Sequence, residues 1–234
     1  MQLKDSYKNI ICIIPARGGS KGIKNKNIIS FCETPLIAHT IKQAKFSSLI
    51  NEVYVSSDSE EILHVAKEYG AKTIVRPKEI SDDFASSESA LIDSIKQVCK
   101  NNEEYTIVFL QATSPLRETT DIDNAIKKFK QENVDSLFSA IKAEDICLWK
   151  IKNNLESITY DFNNRKRRQD FENYIIENGS LYITKSSSLL KSNNRLSGKI
   201  SFFIMDSWKV HEIDNIEDLH LCEYLYKTKI LDKK

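Results

Sequence analysis

Over the first two-thirds of the chain, short β-rich runs alternate strictly with amphipathic helical patterns. Residues 9–14 are a run of branched apolar side chains, too short for a helix and closed by Pro15. Such a run reads as a strand buried on both faces. Similar runs follow at 52–56, 72–75, 106–110 and 136–141. Between them the spacing turns helical. Residues 35–46 place Leu36, Ile37, Ile41 and Ala44 on one face. Asp58 with Glu61 three residues on reads as a capping box for a helix lined by Ile62, Val65, Ala66 and Tyr69 and ended by Gly70. Further helices are predicted at 89–98, 120–129 and 216–226. Strand and helix in alternation imply right-handed βαβ units. The expected class is therefore α/β, with a Rossmann-like, mostly parallel sheet and helices on both faces. Ligands in such sheets bind beyond the carboxyl ends of the strands. The loops at 15–27, 57–58, 76–88, 111–117 and 142–149 are where a site belongs.

The rhythm breaks near residue 142. Residues 153–177 are polar and charged, with Tyr160, Phe162, Phe171 and Tyr174 interspersed, a poor core but a plausible dimerisation arm. Strand patterns return at 180–184 and 200–205. A chain of 234 residues suits one domain with a large core. The organisation expected is one domain over 1–234, with about 143–178 as an inserted arm for dimerisation or substrate. The net charge of +1 gives no overall field toward nucleic acid or a membrane surface, so an anion site must be local. The longest apolar run, residues 10–14, is too short to span a bilayer and is no secretory core. The five cysteines are far apart with no CxxC pair, which points to buried, reduced thiols in a cytoplasmic protein.

The loop after the first strand reads Pro15-Ala16-Arg17-Gly18-Gly19-Ser20-Lys21-Gly22-Ile23-Lys24-Asn25-Lys26-Asn27. Three of the six glycines of the chain fall between 18 and 22. Glycines let backbone N–H groups turn inward toward a phosphate, and Arg17, Lys21, Lys24 and Lys26 add positive charge. The pattern is neither a Walker A loop nor GxGxxG.

The segment Ile14-Pro15-Ala16-Arg17-Gly18-Gly19-Ser20-Lys21-Gly22, followed by Lys26-Asn27, resembles the signature of the acylneuraminate cytidylyltransferases. The resemblance continues in order through Val55-Ser56-Ser57-Asp58, Arg76-Pro77, Ala85-Ser86-Ser87 and Leu110-Gln111-Ala112-Thr113-Ser114-Pro115-Leu116-Arg117. It resumes at Arg168-Gln169-Asp170-Phe171, Glu177-Asn178-Gly179-Ser180-Leu181-Tyr182 and Glu212-Ile213-Asp214. Kdo cytidylyltransferases typically differ in the glycine loop.

The resemblance implies transfer of CMP from CTP to the anomeric hydroxyl of an acidic nine-carbon sugar, N-acetylneuraminic acid first. Arg17 and Lys21 would hold the CTP phosphates, with Gly18, Gly19, Ser20, Lys26 and Asn27 around the nucleotide. Arg76, Ala85 and Ser87 would form the cytosine pocket, although Ser86 and Ser87 read equally well as a helix cap. Gln111 would meet the sugar acid with Thr113, Arg168, Asn178 and Tyr182. For Thr113 and Arg117 the structural and functional readings both stand. The cluster Arg165-Lys166-Arg167-Arg168 reads equally as a solvated loop. Alternation on an extended segment sets Glu212 and Asp214 on one side, where two hard oxygen ligands suit Mg²⁺. Asp214 would join Arg17 and Lys21 as catalytic. Many relatives carry Asp where this chain has Glu212. The resemblance also implies a homodimer. The rivals are the same transfer to legionaminic, pseudaminic or Kdo-type acids, and a non-catalytic nucleotide-binding module.

Overall fold

The computed structural model describes residues 8–19, 22–82, 85–100, 103–143, 146–151, 154–167, 170 and 174–232. Its centre is strand β1 (Ile10–Pro15). Ile10, Cys12 and Ile14 project to one face and Ile11 and Ile13 to the other, all at most 3% exposed. Burying each isoleucine contributes about 1.5–3 kcal/mol relative to exposure.

β1 pairs in parallel with β4 (Glu52–Ser57) and β6 (Thr106–Leu110), and β4 with β5 (Lys72–Val75). Short antiparallel pairs, β2 (Ser30–Phe31) with β3 (Thr34–Pro35) and β8 (Trp149–Ile151) with β9 (Leu155–Ser157), stand apart from this sheet. Beyond β6 the main sheet turns mixed. β10 (Tyr174–Lys185) runs antiparallel between β6 and β7 (Ser136–Ala143), and β11 (Ile200–Ile204) lies parallel on β7. The seven-stranded order is β11-β7-β10-β6-β1-β4-β5. The mostly parallel sheet expected from the sequence is present, but β7 does not neighbour β6. The sequence shows only 180–184 as a strand there. A register shift between Glu177 and Tyr182 breaks the period-two pattern that would have revealed its first half.

Helices cover both faces. α1 (Leu36–Lys45), α2 (Glu60–Glu68) and α4 (Thr119–Gln131) pack Ile37, Ile41, Ile62, Ala66, Ile122 and Phe129 against the Cys12 side. α3 (Ser87–Val98) and α5 (Ser186–Ser192) pack Leu91, Ile95 and Leu189 against the Ile13 side. A third cluster joins Phe31, Leu36, Leu116 and Ile213 to Leu219 and Cys222 of α6 (Ile216–Tyr226). No described helix is long and apolar enough to cross a membrane. The five cysteines are free, and burial pushes the Cys12 thiol up to about 12.

The caps differ in part from expectation. Ser59, not Asp58, caps α2 by accepting from the Ile62 N–H at 3.4 Å, and Asp58 is turned toward the glycine loop. Ser86 caps α3, accepting from the Ser89 N–H at 3.1 Å. The β7–β10 pair runs out to Ala143 and Tyr174, and the β8–β9 hairpin lies between them in sequence.

Arg117 is 1% exposed. It donates to the Ser180 carbonyl at 2.6 Å and hydroxyl at 2.8 Å, to Thr40 Oγ1 at 3.2 Å and to the Gln111 carbonyl at 3.4 Å. Burial pulls its pKa down to about 10, which leaves it charged at neutral pH. Arg117→Met would strand these acceptors in the interior and is expected to cost about 3 kcal/mol. A urea midpoint within error of wild type at unchanged slope would contradict this.

Candidate active site

A cleft of about 560 Å³ opens at the carboxyl ends of β1, β5 and β6. The Ala16 N–H still bonds to Ser56 O at 2.9 Å, so the glycine loop leaves the sheet one residue past β1. Asn27, buried in the first 3-10 turn, donates to Arg17 O at 3.0 Å and closes the loop. Arg17 Nη1 donates to Asp82 O at 2.8 Å, spanning from this loop to the one after β5. The Gly18 N–H donates to Asp58 Oδ1 at 3.0 Å, and Gly19 has open space around it. A Cβ on Gly22 would stand 2.1 Å from the Asp214 carbonyl, so only glycine lets the loop lie against the acidic segment. Ser20 and Lys21 lie outside the described residues.

Arg76 follows β5, its N–H bonded to Ser57 O at 2.9 Å. Its side chain lines the cleft yet is only 6% exposed, with Nη2 4.0 Å from Asp58 Oδ1. Nε and Nη2 have no hydrogen-bond partner among the described residues. Burial lowers its pKa, opposed by the Asp58 carboxylate. A buried guanidinium with unspent donors is costly unless a ligand completes it. Ala85, Ser86 and Ser87 line the same end, with Ser86 engaged as a cap and Ser87 opening α3.

Gln111, one residue past β6, donates through Nε2 to Gly179 O at 2.6 Å and to Glu212 Oε1 at 3.4 Å. Thr113 lines the cleft, and its carbonyl accepts from the Ile213 N–H at 2.9 Å. Two residues expected at the sugar lie beneath the cleft instead. Asn178 is 3% exposed; its Oδ1 accepts from Ser139 Oγ at 2.6 Å and its Nδ2 donates to Lys209 O at 3.3 Å. The ring of Tyr182 stacks on Phe109 at 5.4 Å, and its hydroxyl donates to Glu177. Arg168 lies outside the described residues. Arg117 supports Gln111 and Ser180 from within.

Two contributors were given no site role from the sequence. Asp58 accepts from the glycine loop and faces Arg76, but in sequence it looks like a helix cap. Arg195 lies over the rings of Phe109 and Tyr182, at 5.0 and 4.7 Å. It also grips Glu88 with two bonds, of 2.6 and 3.2 Å. It thereby ties β6, β10 and the first turn of α3 together. Its partner lies 107 residues away, and nothing local marks the pairing.

Ile213 is fully buried and pins the segment that carries Glu212 and Asp214 to the cleft wall. Gly179 has φ +69°, and a Cβ there would stand 1.8 Å from Glu212 Oε1. A larger residue would therefore push aside the ends of the Glu212 and Gln111 side chains and would be strained by the left-handed backbone. Burial raises the Glu212 pKa, and the neighbouring Asp214 charge adds to this, partly opposed by Lys26. Two carboxylates crowded on one wall are the part of the cleft able to hold a hard divalent cation. Among the described residues no set of three or more His, Cys, Asp or Glu is placed to hold a metal ion. Because the folded pKa of Glu212 exceeds the ordinary 4.5, ionisation of the folded chain costs stability as pH rises above that value. Glu212→Gln is expected to melt above wild type at pH 7, with the gap closing below the ordinary glutamate pKa. An unchanged gap from neutral to acid pH would contradict a strained carboxylate.

A cytidylyltransferase family model matches residues 11–229. The chain is 36% identical over 223 residues to a pseudaminic acid cytidylyltransferase of Campylobacter jejuni, covering 93% of this chain and 96% of that protein. It is 32% identical to an N-acylneuraminate cytidylyltransferase of Escherichia coli, covering 94% of this chain but 52% of the relative. The structure of CMP:2-keto-3-deoxy-manno-octonic acid synthetase complexed with CTP superposes with a TM-score of 0.72 at 16% identity, covering 95% of this chain and 100% of that one. The last of these shows a shared fold. The family model and the sequence relatives together establish that the chain belongs to the cytidylyltransferase family.

Proposed function

We propose that this chain transfers CMP from CTP to the anomeric hydroxyl of a nine-carbon sugar acid, releasing pyrophosphate, and that pseudaminate is its acid. The observation that carries the nucleotide reading is the cleft itself. It sets the buried Arg76 guanidinium, two of whose nitrogens have no hydrogen-bond partner among the described residues, at one end, a glycine-rich turn in the middle and the Glu212–Asp214 pair on the wall. Cytosine offers an acceptor at O2 and a donor at N4, which Arg76 and nearby backbone carbonyls would read. The acid is argued from the relatives. Those named for pseudaminate match along nearly their whole length, whereas the Escherichia coli enzyme matches over about half of its own. N-acetylneuraminate is the second reading, favoured by the Glu177-Asn178-Gly179-Ser180 and Arg168-Gln169-Asp170 motifs.

In the reaction the anomeric oxygen bonds to the α-phosphorus while the bridge to the β-phosphate breaks. Glu212 and Asp214 would hold Mg²⁺, which supplies positive charge to the phosphate oxygens when bound. Arg17 and Lys21 would receive the charge that builds on the departing pyrophosphate. Gln111 would orient the sugar acid from the end of β6. Positioning and fixed charge do the work, since phosphoryl transfer asks little covalent chemistry of the protein.

The proposal includes a second copy of the chain, assembled in the cytoplasm. Ile151, Leu155, Ile158 and Phe162 in and beside the β8–β9 hairpin are more than half exposed, a surface that a partner arm would cover. Light scattering at the mass of one chain would remove that element.

The function is tested by pyrophosphate release with CTP, Mg²⁺ and pseudaminate, legionaminate, N-acetylneuraminate or Kdo in turn. Turnover is expected with pseudaminate, at least ~10-fold better in kcat/KM than with the others. Preference for another acid would overturn the sugar assignment, and no release with any of them would overturn the transfer itself.

A further inference from the structure

The acid pair faces a cation belonging to the chain itself. Lys26 Nζ lies 2.7 Å from Asp214 Oδ1, reaching a segment 188 residues further on. The lysine side chain is 15% exposed and the aspartate 72%, so the ammonium is held in the cleft while the carboxylate faces solvent.

Three features make this pairing part of the site's construction. Asn25 takes a left-handed conformation, φ 55°, and starts the 3-10 turn Lys26–Ile28. The next residue, Asn27, is locked onto the Arg17 carbonyl, so the backbone presenting Lys26 is fixed. The Gly22 contact sets the glycine loop against the Asp214 backbone.

We propose that Lys26 is an internal placeholder for the divalent cation. It neutralises Asp214 when the cleft holds no nucleotide and gives way when a triphosphate offers it oxygens of its own. This rests on Glu212 and Asp214 being the metal ligands. An ammonium held on Asp214 Oδ1 offsets the charge of the carboxylate and repels a metal ion brought to either of its oxygens. The free protein therefore binds the metal weakly. A bound nucleotide draws off Lys26, releases Asp214 and raises metal affinity, and by reciprocity the metal raises nucleotide affinity. A flexible, strongly hydrated point charge suits this exchange better than a planar guanidinium.

The test is Mn²⁺ binding, read from the loss of the free-ion EPR signal, with and without CTP. It compares wild type, Lys26→Met, Lys26→Arg and Asp214→Asn, each confirmed folded by circular dichroism. Without nucleotide, Lys26→Met is expected to bind Mn²⁺ at least about fivefold tighter than wild type. Lys26→Arg should bind no tighter than wild type, and CTP should tighten Mn²⁺ less in Lys26→Met than in wild type. Equal or weaker Mn²⁺ binding by Lys26→Met, with binding still lost in Asp214→Asn, overturns the placeholder and leaves the metal ligands standing. Undiminished binding by Asp214→Asn in the presence of CTP overturns the metal ligands, and the placeholder with them.

Discussion

Arg117 carries its guanidinium into the interior, where it holds the backbone of β10 at Ser180 to the end of β6 at Gln111. The backbone ladder from Leu181–Leu110 to Lys185–Thr106 sets the register of the two antiparallel strands, and Arg117 holds them together where that ladder ends. That junction matters because the residues around it make the sugar end of the cleft. Gln111 bonds to Gly179, whose left-handed backbone lies against the end of the Glu212 side chain. A buried charge whose two terminal nitrogens donate to carbonyls and hydroxyls is sensitive to small displacements, since every lost bond leaves an acceptor dry.

The cleft is built from opposed charges on a chain whose net charge is +1. Arg17, Arg76 and Lys26 enter from the loops after β1 and β5, while Asp58, Glu212 and Asp214 face them. Each acid performs a different task. Asp58 accepts from the glycine loop and offsets Arg76. Asp214 takes Lys26. Glu212 is half-buried, with a raised pKa that a cation would relieve. The molecule carries these strained groups because the large apolar clusters on both faces of the sheet stabilise the fold independently of them.

The parallel half of the sheet was legible because each of its strands is a local signal, an apolar run between helical spacings. That Arg17, Arg76, Gln111, Glu212 and Asp214 would come to line one cleft was legible for the same reason, as each sits in a short motif. The position of β10 was not, because insertion between β6 and β7 is decided by pairing across the chain and a register shift hides its period. Asn178 and Tyr182 show the limit of a motif. Both lie in the right segment, yet the strand turns their side chains into the interior, where Ser139, Lys209 and Glu177 take their hydrogen bonds. The pairing of Arg195 with Glu88 leaves no local trace.

The central claim, that this cleft reads a cytosine nucleotide through the unspent donors of Arg76, is tested most directly by calorimetric titration of CTP and UTP in Mg²⁺ without sugar. UTP carries a carbonyl where CTP carries its amino group, so a site that hydrogen-bonds the cytosine edge is expected to bind CTP at least ~10-fold more tightly. Uracil keeps the O2 acceptor that Arg76 would read, so Arg76→Met is expected to weaken both nucleotides. Equal affinity of the wild type for CTP and UTP, or undiminished CTP affinity in Arg76→Met, would contradict it.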